Sequence, residues 1–124
     1  MTRTAALVHV FIGLLLAGCG ADIESRQEPV ASGDARRGRA ALERHGCNVC
    51  HVIPGVRGIR GMVGPSLEGF AHRPHLAGKF ATGEHHIVRW ILDPPAMAPR
   101  TAMPAVGVSD AEARDMAAYL LTLQ

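Results

Sequence analysis

The stretch Cys47-Asn48-Val49-Cys50-His51 restricts what this chain can be more than any other part of the sequence. Two cysteines three residues apart, followed directly by a histidine, form the C-x-x-C-H pattern of covalent haem attachment. The spacing has a chemical reason, because one turn of chain can present two thiols to the two vinyl groups of a haem while the next imidazole reaches the iron. The motif therefore predicts a covalently attached haem.

Two other kinds of site share the C-x-x-C part of the motif, namely a zinc half-site and a redox-active dithiol. A zinc site of cysteine and histidine usually takes four ligands, and the sequence has no second close cysteine pair. The adjacent pair His85-His86 lacks the spacing of zinc ligands. A thioredoxin-like dithiol follows a strand of a βαβ unit, and no alternating β-branched run precedes Cys47. Both alternatives stay open, but the sequence favours haem.

Residues 1–18 predict an export signal. Arg3 gives a positive start, residues 5–17 are nearly all apolar, and Leu16-Ala17-Gly18-Cys19 closes the segment. The apolar run is too short to span a bilayer comfortably. Its ending resembles a bacterial lipoprotein cleavage box, in which Cys19 becomes the lipidated first residue of the mature chain. The alternatives are an uncleaved N-terminal anchor and an ordinary signal peptide.

This interpretation divides the chain into three parts. Residues 1–18 form the lipoprotein signal peptide, 19–33 the lipidated N-terminus and a flexible linker, and 34–124 the folded domain. Several acyl chains on Cys19 give stable anchoring, whereas a single chain binds membranes only marginally. The linker lacks periodicity and aromatic residues and has a reach of roughly 20 Å. We therefore expect a domain tethered to the periplasmic side of a bacterial membrane without spanning it.

Composition limits the core and excludes one class of partner. The 124 residues include 13 Lys and Arg against 11 Asp and Glu, a balance that does not indicate nucleic-acid binding. Only 4% of the residues are aromatic, so a small domain has little large side-chain volume for its core. Small domains commonly need a disulfide, metal or cofactor. We expect haem to fill that role and the haem-free chain to be largely unfolded.

The first predicted helix precedes the haem motif. It is expected from about Asp34 to His45, with Ser32 or Asp34 capping its start and Gly46 ending it. Gly38 lies inside this helix, where glycine costs roughly 1 kcal/mol relative to alanine. A close approach by another backbone is the expected reason for it.

A glycine-rich loop and a second helix follow the motif. The segment 54–64 contains glycine at four positions and predicts turns and irregular backbone. The second helix is expected from about Glu84 to Leu92, where Thr82 can cap the start and Asp93-Pro94-Pro95 ends it.

The last predicted helix begins with the capping box Ser109-Asp110-Ala111-Glu112. Four apolar residues follow at helical spacing and form a stripe that faces the core: Ala113, Met116, Ala117 and Leu120. The predicted fold class is therefore all-α.

Four features of the chain occur in the order found in class I cytochromes c. They are the C-x-x-C-H motif, the G-P-x-L segment Gly64-Pro65-Ser66-Leu67, the pair Met103-Pro104 in a loop, and the amphipathic terminal helix. Over residues 34–123 the chain resembles the monohaem class I cytochrome c family, in the form of a bacterial lipoprotein. The resemblance implies the cytochrome c fold, with about three main helices and loops around one covalently bound haem c.

The resemblance also implies which residues hold the haem. Cys47 and Cys50 would form thioether bonds to it, and His51 would be the proximal axial ligand. In the family's G-P-x-L segment the proline carbonyl accepts a hydrogen bond from the proximal histidine, so Pro65 would fix the tautomer of His51. The alternative role for Pro65 is to stiffen the loop.

Met103 matches the distal ligand of the family, because it precedes a proline in the loop before the terminal helix. A thioether ligand favours reduced iron and raises the potential relative to two imidazoles. A lone methionine is usually core packing, so the assignment depends on the loop position and the family pattern. The alternatives are an open site or one of the remaining candidates, namely Met62, Met97, His72, His75, His85 and His86.

Further residues match the family in packing or charge. Trp90 corresponds to the aromatic that packs beside the haem on the methionine side, although a core tryptophan is the default interpretation. Arg73 and Arg89 are candidates to pair with a haem propionate, and solvent exposure is the alternative for both. Gly38 matches the glycine at which the N-terminal and C-terminal helices cross, and Tyr119 matches the aromatic that packs against it.

The chain departs from the family in its charges near the haem motif, where arginine is used instead of lysine. Only Asp34 and Glu43 accompany these arginines. They fit either a solvated helix face or a positive rim that orients an acidic redox partner. The arginines concerned are Arg36, Arg37, Arg39, Arg44, Arg57 and Arg60.

The function implied by the resemblance is single-electron transfer, and the protein is not expected to be an enzyme. Its partners would be redox proteins such as a terminal oxidase or another cytochrome, with the domain itself monomeric. One alternative is a haem enzyme or a sensor of peroxide, CO or NO with an openable sixth iron position. The sequence has no evident distal acid–base pair for it, and Met103 argues against it. Another alternative is a structural or zinc-binding lipoprotein without haem.

Overall fold

The computed structural model describes residues 33–59 and 61–124. The expected signal peptide, the lipidation site Cys19 and the linker up to Ser32 lie outside the described residues, as does Arg60.

Helices dominate the described residues, as the sequence predicts. Within residues 33–59 and 61–124, four α-helices and one small hairpin follow one another, with 3₁₀ turns at Cys47–Val49 and Phe70–His72. The all-α prediction is confirmed, and the hairpin and the short helix α3 are additions to it. The elements in chain order are α1 (Ala35–Arg44), β1 (His75–Leu76), β2 (Phe80–Ala81), α2 (Glu84–Leu92), α3 (Pro94–Met97) and α4 (Asp110–Leu120).

Helix α1 begins and ends where its local sequence directs. The side chain of Asp34 caps the start by accepting a hydrogen bond from the backbone N–H of Arg37. After the C-cap residue His45, Gly46 takes up a left-handed conformation with φ of 68°, which glycine adopts at little cost. This turn directs the chain straight into the C-x-x-C-H motif.

Helix α2 has the expected bounds but not the expected cap. Its N-cap residue is Gly83, which has no side chain to accept a hydrogen bond, so the prediction that Thr82 caps the helix is wrong. Thr82 is instead tied to the hairpin, because its backbone N–H donates to the carbonyl of Pro74 at 3.1 Å. Asp93 ends the helix, and its side chain accepts from the N–H of Ala96 to begin α3.

Helix α4 follows the sequence prediction closely. The hydroxyl of Ser109 accepts from the N–H of Glu112, and the carboxylate of Glu112 accepts from the N–H of Ser109, which completes the capping box. The four residues of the predicted apolar stripe are all buried, and Ala113, Met116 and Ala117 have no exposed surface. The helix therefore packs its apolar face into the centre of the domain.

Helices α1 and α4 cross at Gly38. A β-carbon at this position would overlap the backbone carbonyl of Asp115, so no larger residue fits without separating the helices. The atoms nearest to Gly38 belong to Asp115 and Met116. Tyr119, which the family pattern places beside this glycine, donates its hydroxyl hydrogen bond to the carbonyl of Pro54 at 2.6 Å, next to Gly55.

Charged side chains tie the same two helices together. The guanidinium of Arg37 donates to both carboxylate oxygens of Asp115, at 2.7 and 2.8 Å, and the N–H of Asp34 donates to Asp115 at 2.7 Å. These hydrogen bonds hold the pKa of the buried Asp115 carboxyl below its usual range, and the bond from Arg37 has the largest effect. Arg44 contacts Glu112 at 2.9 Å in the same way. Arg37 and Arg44 therefore serve the helix crossing.

Candidate haem site

A cavity of about 840 Å³ opens beside the two crossing helices. Its walls come from the C-x-x-C-H turn, the segment after it, helix α2, the loop between α3 and α4, and the inner face of α4. Cofactor pockets commonly have volumes of roughly 300–1,000 Å³ and mainly apolar walls. The walls here are mostly apolar, with core residues such as Leu67, Ile91 and Met116 among them. A flat hydrophobic group such as haem suits this cavity.

The C-x-x-C-H motif forms a tight turn at the edge of the cavity. The N–H of His51 donates to the carbonyl of Cys47 at 3.0 Å, which closes one turn of chain. Cys47 and Cys50 are half-buried, line the cavity and form no disulfide. Burial raises the pKa of the Cys47 thiol, whereas the attacking cysteine of a redox dithiol needs a lowered pKa. The turn therefore suits haem attachment better than dithiol chemistry.

The His51 ring is fixed by the loop that follows the motif. Its Nδ1 lies 2.7 Å from the carbonyl oxygen of Pro65, the contact that the family pattern implies. A carbonyl can only accept, so this hydrogen bond keeps the proton on Nδ1 and leaves the lone pair of Nε2 for a metal.

Gly64 completes the clamp on the His51 ring. Its N–H donates to the carbonyl of Cys50 at 2.8 Å. A β-carbon at Gly64 would overlap the imidazole of His51, so glycine is required for this close approach. The local sequence Gly64-Pro65 thus both makes room for the ring and orients it.

Met103 is the predicted distal ligand that the structure brings to the cavity. It is half-buried in the loop between α3 and α4, where its N–H donates to the hydroxyl of Thr101 at 3.2 Å. Among the rival methionines, neither Met97 nor Met62 lines the cavity, and the side chain of Met62 is 91% exposed.

The rival histidines differ in their position relative to the cavity. His72, His85 and His86 are not cavity residues, and the ring of His86 lies 3.0 Å from the carbonyl of Ala81. His75 lines the cavity from strand β1, and it is the one predicted histidine rival in the described residues that does so.

Trp90 lines the cavity from α2. It is half-buried, and its ring packs against Phe80 of the hairpin at 6.3 Å between centroids in a tilted arrangement. The hairpin thus supports one wall of the cavity.

The two arginines considered for a haem propionate differ in position. Arg73 lines the cavity, but its guanidinium already donates to the backbone carbonyls of Ser66 and Glu68. It therefore holds the segment that follows Pro65 in shape. Arg89 is exposed on α2 and is not a cavity residue.

Sequence reasoning missed two other cations at the cavity. Arg100 and Lys79 both line it, and no aspartate or glutamate of the described residues does. Cations with no opposing carboxylate suit a group that carries acidic substituents. Arg100 could have been noticed because it lies three residues before Met103 in the same loop, but nothing local marks Lys79.

The turn, the clamped imidazole and the apolar cavity define a haem-binding protein of the c type. The cytochrome c family model matches residues 35–124, and the chain belongs to this family. It accordingly carries covalently bound haem c, with the C-x-x-C-H motif as the matching sequence element. Cytochromes c are electron-transfer proteins, and this is the class of function that membership supports.

Among solved structures, the chain is similar to cytochrome c2 from Rhodobacter sphaeroides. The match has a TM-score of 0.53 and 22% identity, and it covers 73% of this chain and 96% of that chain. It establishes the shared fold. A search among curated proteins finds no match. Within residues 33–59 and 61–124, no helix has the length and apolar character needed to cross a bilayer.

Proposed function

We propose that this protein is a membrane-tethered monohaem cytochrome that carries single electrons in a respiratory chain, towards a terminal oxidase. The observation that carries the proposal is the arrangement of His51 and Met103 on one apolar cavity. One residue offers an oriented imidazole and the other a thioether, which together make a closed ligand set for iron. A closed set suits electron transfer, because neither side is left free for a substrate.

The residues of the motif would attach and orient the haem. Cys47 and Cys50 would hold it through thioether bonds, and His51 would bind the iron through Nε2 while Pro65 retains the proton on Nδ1. When bound, the haem supplies an iron that alternates between the ferric and ferrous states. Gly64 keeps the imidazole from tilting, because its backbone lies against the ring.

Residues on the other walls of the cavity would complete the coordination of the iron and keep water out. Met103 would bind the iron with a soft sulfur, which favours the reduced state. Core side chains such as Ile91 and Met116 exclude water from the cavity, and Trp90 closes the wall beside them. The chain would thereby hold the group through the same residues in both oxidation states, so little rearrangement would accompany electron transfer.

The tether and the cellular side are proposed from the sequence. The apolar segment that ends in Leu16-Ala17-Gly18-Cys19 supports export and lipidation, and the linker up to residue 33 separates the lipid from the domain. The domain would then work on the periplasmic side of a bacterial membrane, within reach of membrane-bound redox proteins.

A redox titration tests the proposal. The purified protein should show one haem that titrates reversibly as a one-electron couple and that does not bind CO in the ferrous state. Met103→Ala should bind CO readily, because it opens the sixth position, whereas Met97→Ala should behave as the wild type. Rapid CO binding or peroxide turnover by the wild-type protein would instead support a sensor or an enzyme, and absence of haem would refute both.

A further inference from the structure

The charges of the folded domain are divided unevenly along the chain. Residues 34–67 contain six arginines against Asp34 and Glu43, a net charge of +4, whereas residues 68–124 contain five lysines and arginines against six aspartates and glutamates, a net charge of −1. The arginines of the first part that the structure describes are all exposed. This part of the domain therefore presents a positively charged surface.

Carboxylates neutralise two of these arginines and leave three without an ion pair. Arg37 pairs with Asp115, and Arg44 pairs with Glu112. No carboxylate of residues 33–59 and 61–124 lies within ion-pair distance of the other three described arginines. We call these three the arginine face, and its members are Arg36, Arg39 and Arg57.

The fold brings the members of the arginine face together. Arg36 and Arg39 are three residues apart on α1, so their side chains emerge on the same side of the helix. The guanidinium of Arg39 donates to the carbonyl of Gly55 at 2.9 Å, which joins α1 to the loop that carries Arg57. The side-chain amide of Asn48 holds this loop by donating to the carbonyl of Arg57 at 2.7 Å. The helix and the loop thus contribute to one exposed positive surface.

The arginine face is separate from the haem cavity and close to the start of the described chain. None of its members lines the cavity. Gly33, the first described residue, lies against α4, since a β-carbon there would overlap the carbonyl of Arg114. The next residue, Asp34, donates its N–H to Asp115 at 2.7 Å. The chain that leads to the proposed anchor therefore leaves the domain three residues before Arg36.

We propose that the arginine face contacts a membrane surface of anionic phospholipids and thereby orients the tethered domain. This inference rests on the membrane tether proposed above. A linker with a reach of roughly 20 Å holds the face beside the bilayer at a high local concentration. Each arginine close to an anionic bilayer then raises the affinity about fivefold, so three together favour one orientation of the domain. The contact uses none of the cavity residues, which leaves them available to a redox partner.

The test measures how close the arginine face lies to the bilayer in the full lipidated holoprotein. A nitroxide on Ala40→Cys, at an exposed position of α1, is compared with one on Ala96→Cys, at an exposed position of α3. The protein is inserted into nanodiscs that contain a gadolinium-chelating lipid. In discs with phosphatidylglycerol, the label on α1 should relax faster than the label on α3, and added salt should reduce the difference. In discs of phosphatidylcholine the two labels should relax alike.

Two substitutions that each remove one positive charge form a matched pair. Arg36→Gln should lower the ratio of docked to undocked domain about fivefold in phosphatidylglycerol discs. Arg89→Gln, at an exposed position of α2 outside the arginine face, should leave this ratio unchanged. Equal effects of the two substitutions, or equal relaxation of the two labels in phosphatidylglycerol discs, would overturn the proposal.

Three further outcomes would overturn the proposal by assigning the face to another occupant. Release of the face by phosphate, at an ionic strength at which chloride does not release it, would indicate a free anion. Docking that appears only after Asp22→Asn, Glu24→Gln and Glu28→Gln would indicate that the acidic linker covers the face. Absence of docking, together with slower electron transfer from Arg36→Gln to an acidic redox protein, would indicate a protein partner.

Failure of the tether or of the carrier function is measured separately. Mass spectrometry shows whether Cys19 carries lipid, and the redox titration shows whether the haem is a reversible one-electron couple. A holoprotein without lipid would refute the tether, and its sedimentation with phosphatidylglycerol vesicles would then test the arginine face. Binding that weakens in Arg36→Gln but not in Arg89→Gln would retain the face as a lipid-binding surface, and absence of binding would overturn it.

Discussion

Helix α4 packs closely against α1 in one region and borders a large cavity in another. In the first region, α1 crosses α4 at Gly38, where there is no room for a methyl group, and a hydrogen bond from Arg37 to Asp115 joins the two helices. In the other region, the segment after the haem motif and the loop that holds Met103 line a cavity of about 840 Å³. The first region is completed by the polypeptide itself, and the second by the group it binds. The stability of the crossing should therefore depend on the fit between the two helices, whereas the order of the segments around the cavity should depend on bound haem.

Loss of haem attachment should have the largest effect. In the double variant Cys47→Ser with Cys50→Ser, the cavity lacks the covalently held group that fills it, and a small domain has little other core. We expect the cooperative thermal transition to disappear and most of the helical circular dichroism to be lost. A variant that keeps a native-like transition without haem would show that the polypeptide alone completes both regions.

Gly38→Ala should be the most destabilising single change at the crossing. The added methyl overlaps the carbonyl of Asp115, so the helices must separate, and overpacking of this kind costs about 3 kcal/mol. Urea denaturation measures the loss, while the haem spectrum should stay unchanged. Gly83→Ser is the control, because a β-carbon there meets open space and a serine can cap α2.

Gly64→Ala should affect the haem site as well as the stability of the fold. Its methyl overlaps the imidazole of His51 and should weaken the hydrogen bond to Pro65. We expect a shifted reduction potential and an altered ferric spectrum, with a stability loss of about 1–3 kcal/mol. A normal spectrum and potential would indicate that the ring is not clamped by this loop.

The smallest expected effect is a change in acid sensitivity at the crossing. Hydrogen bonds from Arg44, Ser109 and His45 lower the pKa of Glu112 from 4.5 to about 2. A carboxyl with a lowered pKa stabilises the fold above its ordinary pKa, and this stabilisation is lost as the pH falls from about 4.5 to 2. Glu112→Gln should flatten that part of the stability profile.

Denaturation midpoints measured across this pH range check the prediction. Glu43→Gln, at an exposed carboxylate of α1, should retain the wild-type profile. An unchanged profile in Glu112→Gln would show that Glu112 does not contribute to acid sensitivity.

Local signals explain which parts of the fold could be predicted from sequence. The cap at Asp34, the end of α1 at Gly46 and the capping box at Ser109 all depend on neighbouring residues, and the structure contains each of them. Thr82 failed as a cap because its backbone is drawn into the hairpin, a tertiary contact that no local pattern announces. Strands of two residues are likewise too short to show alternation.

The haem site was likewise predictable from the sequence only where its geometry depends on neighbouring residues. The motif and the Gly64-Pro65 segment carry their geometry in consecutive residues, so their positions at the cavity could be anticipated. The cations at the cavity depend on how distant loops meet, and Arg100 and Lys79 were missed for that reason. Arg73 was considered for a propionate, but the carbonyls that engage it become visible only in three dimensions.

The ferric absorption spectrum tests the central claim most directly, because sulfur coordination to ferric haem gives a weak charge-transfer band in this family. We predict that the wild type shows this band, that Met103→Ala lacks it, and that Met97→Ala keeps it. A band that survives in Met103→Ala, or that disappears in Met97→Ala, would contradict the proposal that Met103 is the sulfur ligand of the haem iron.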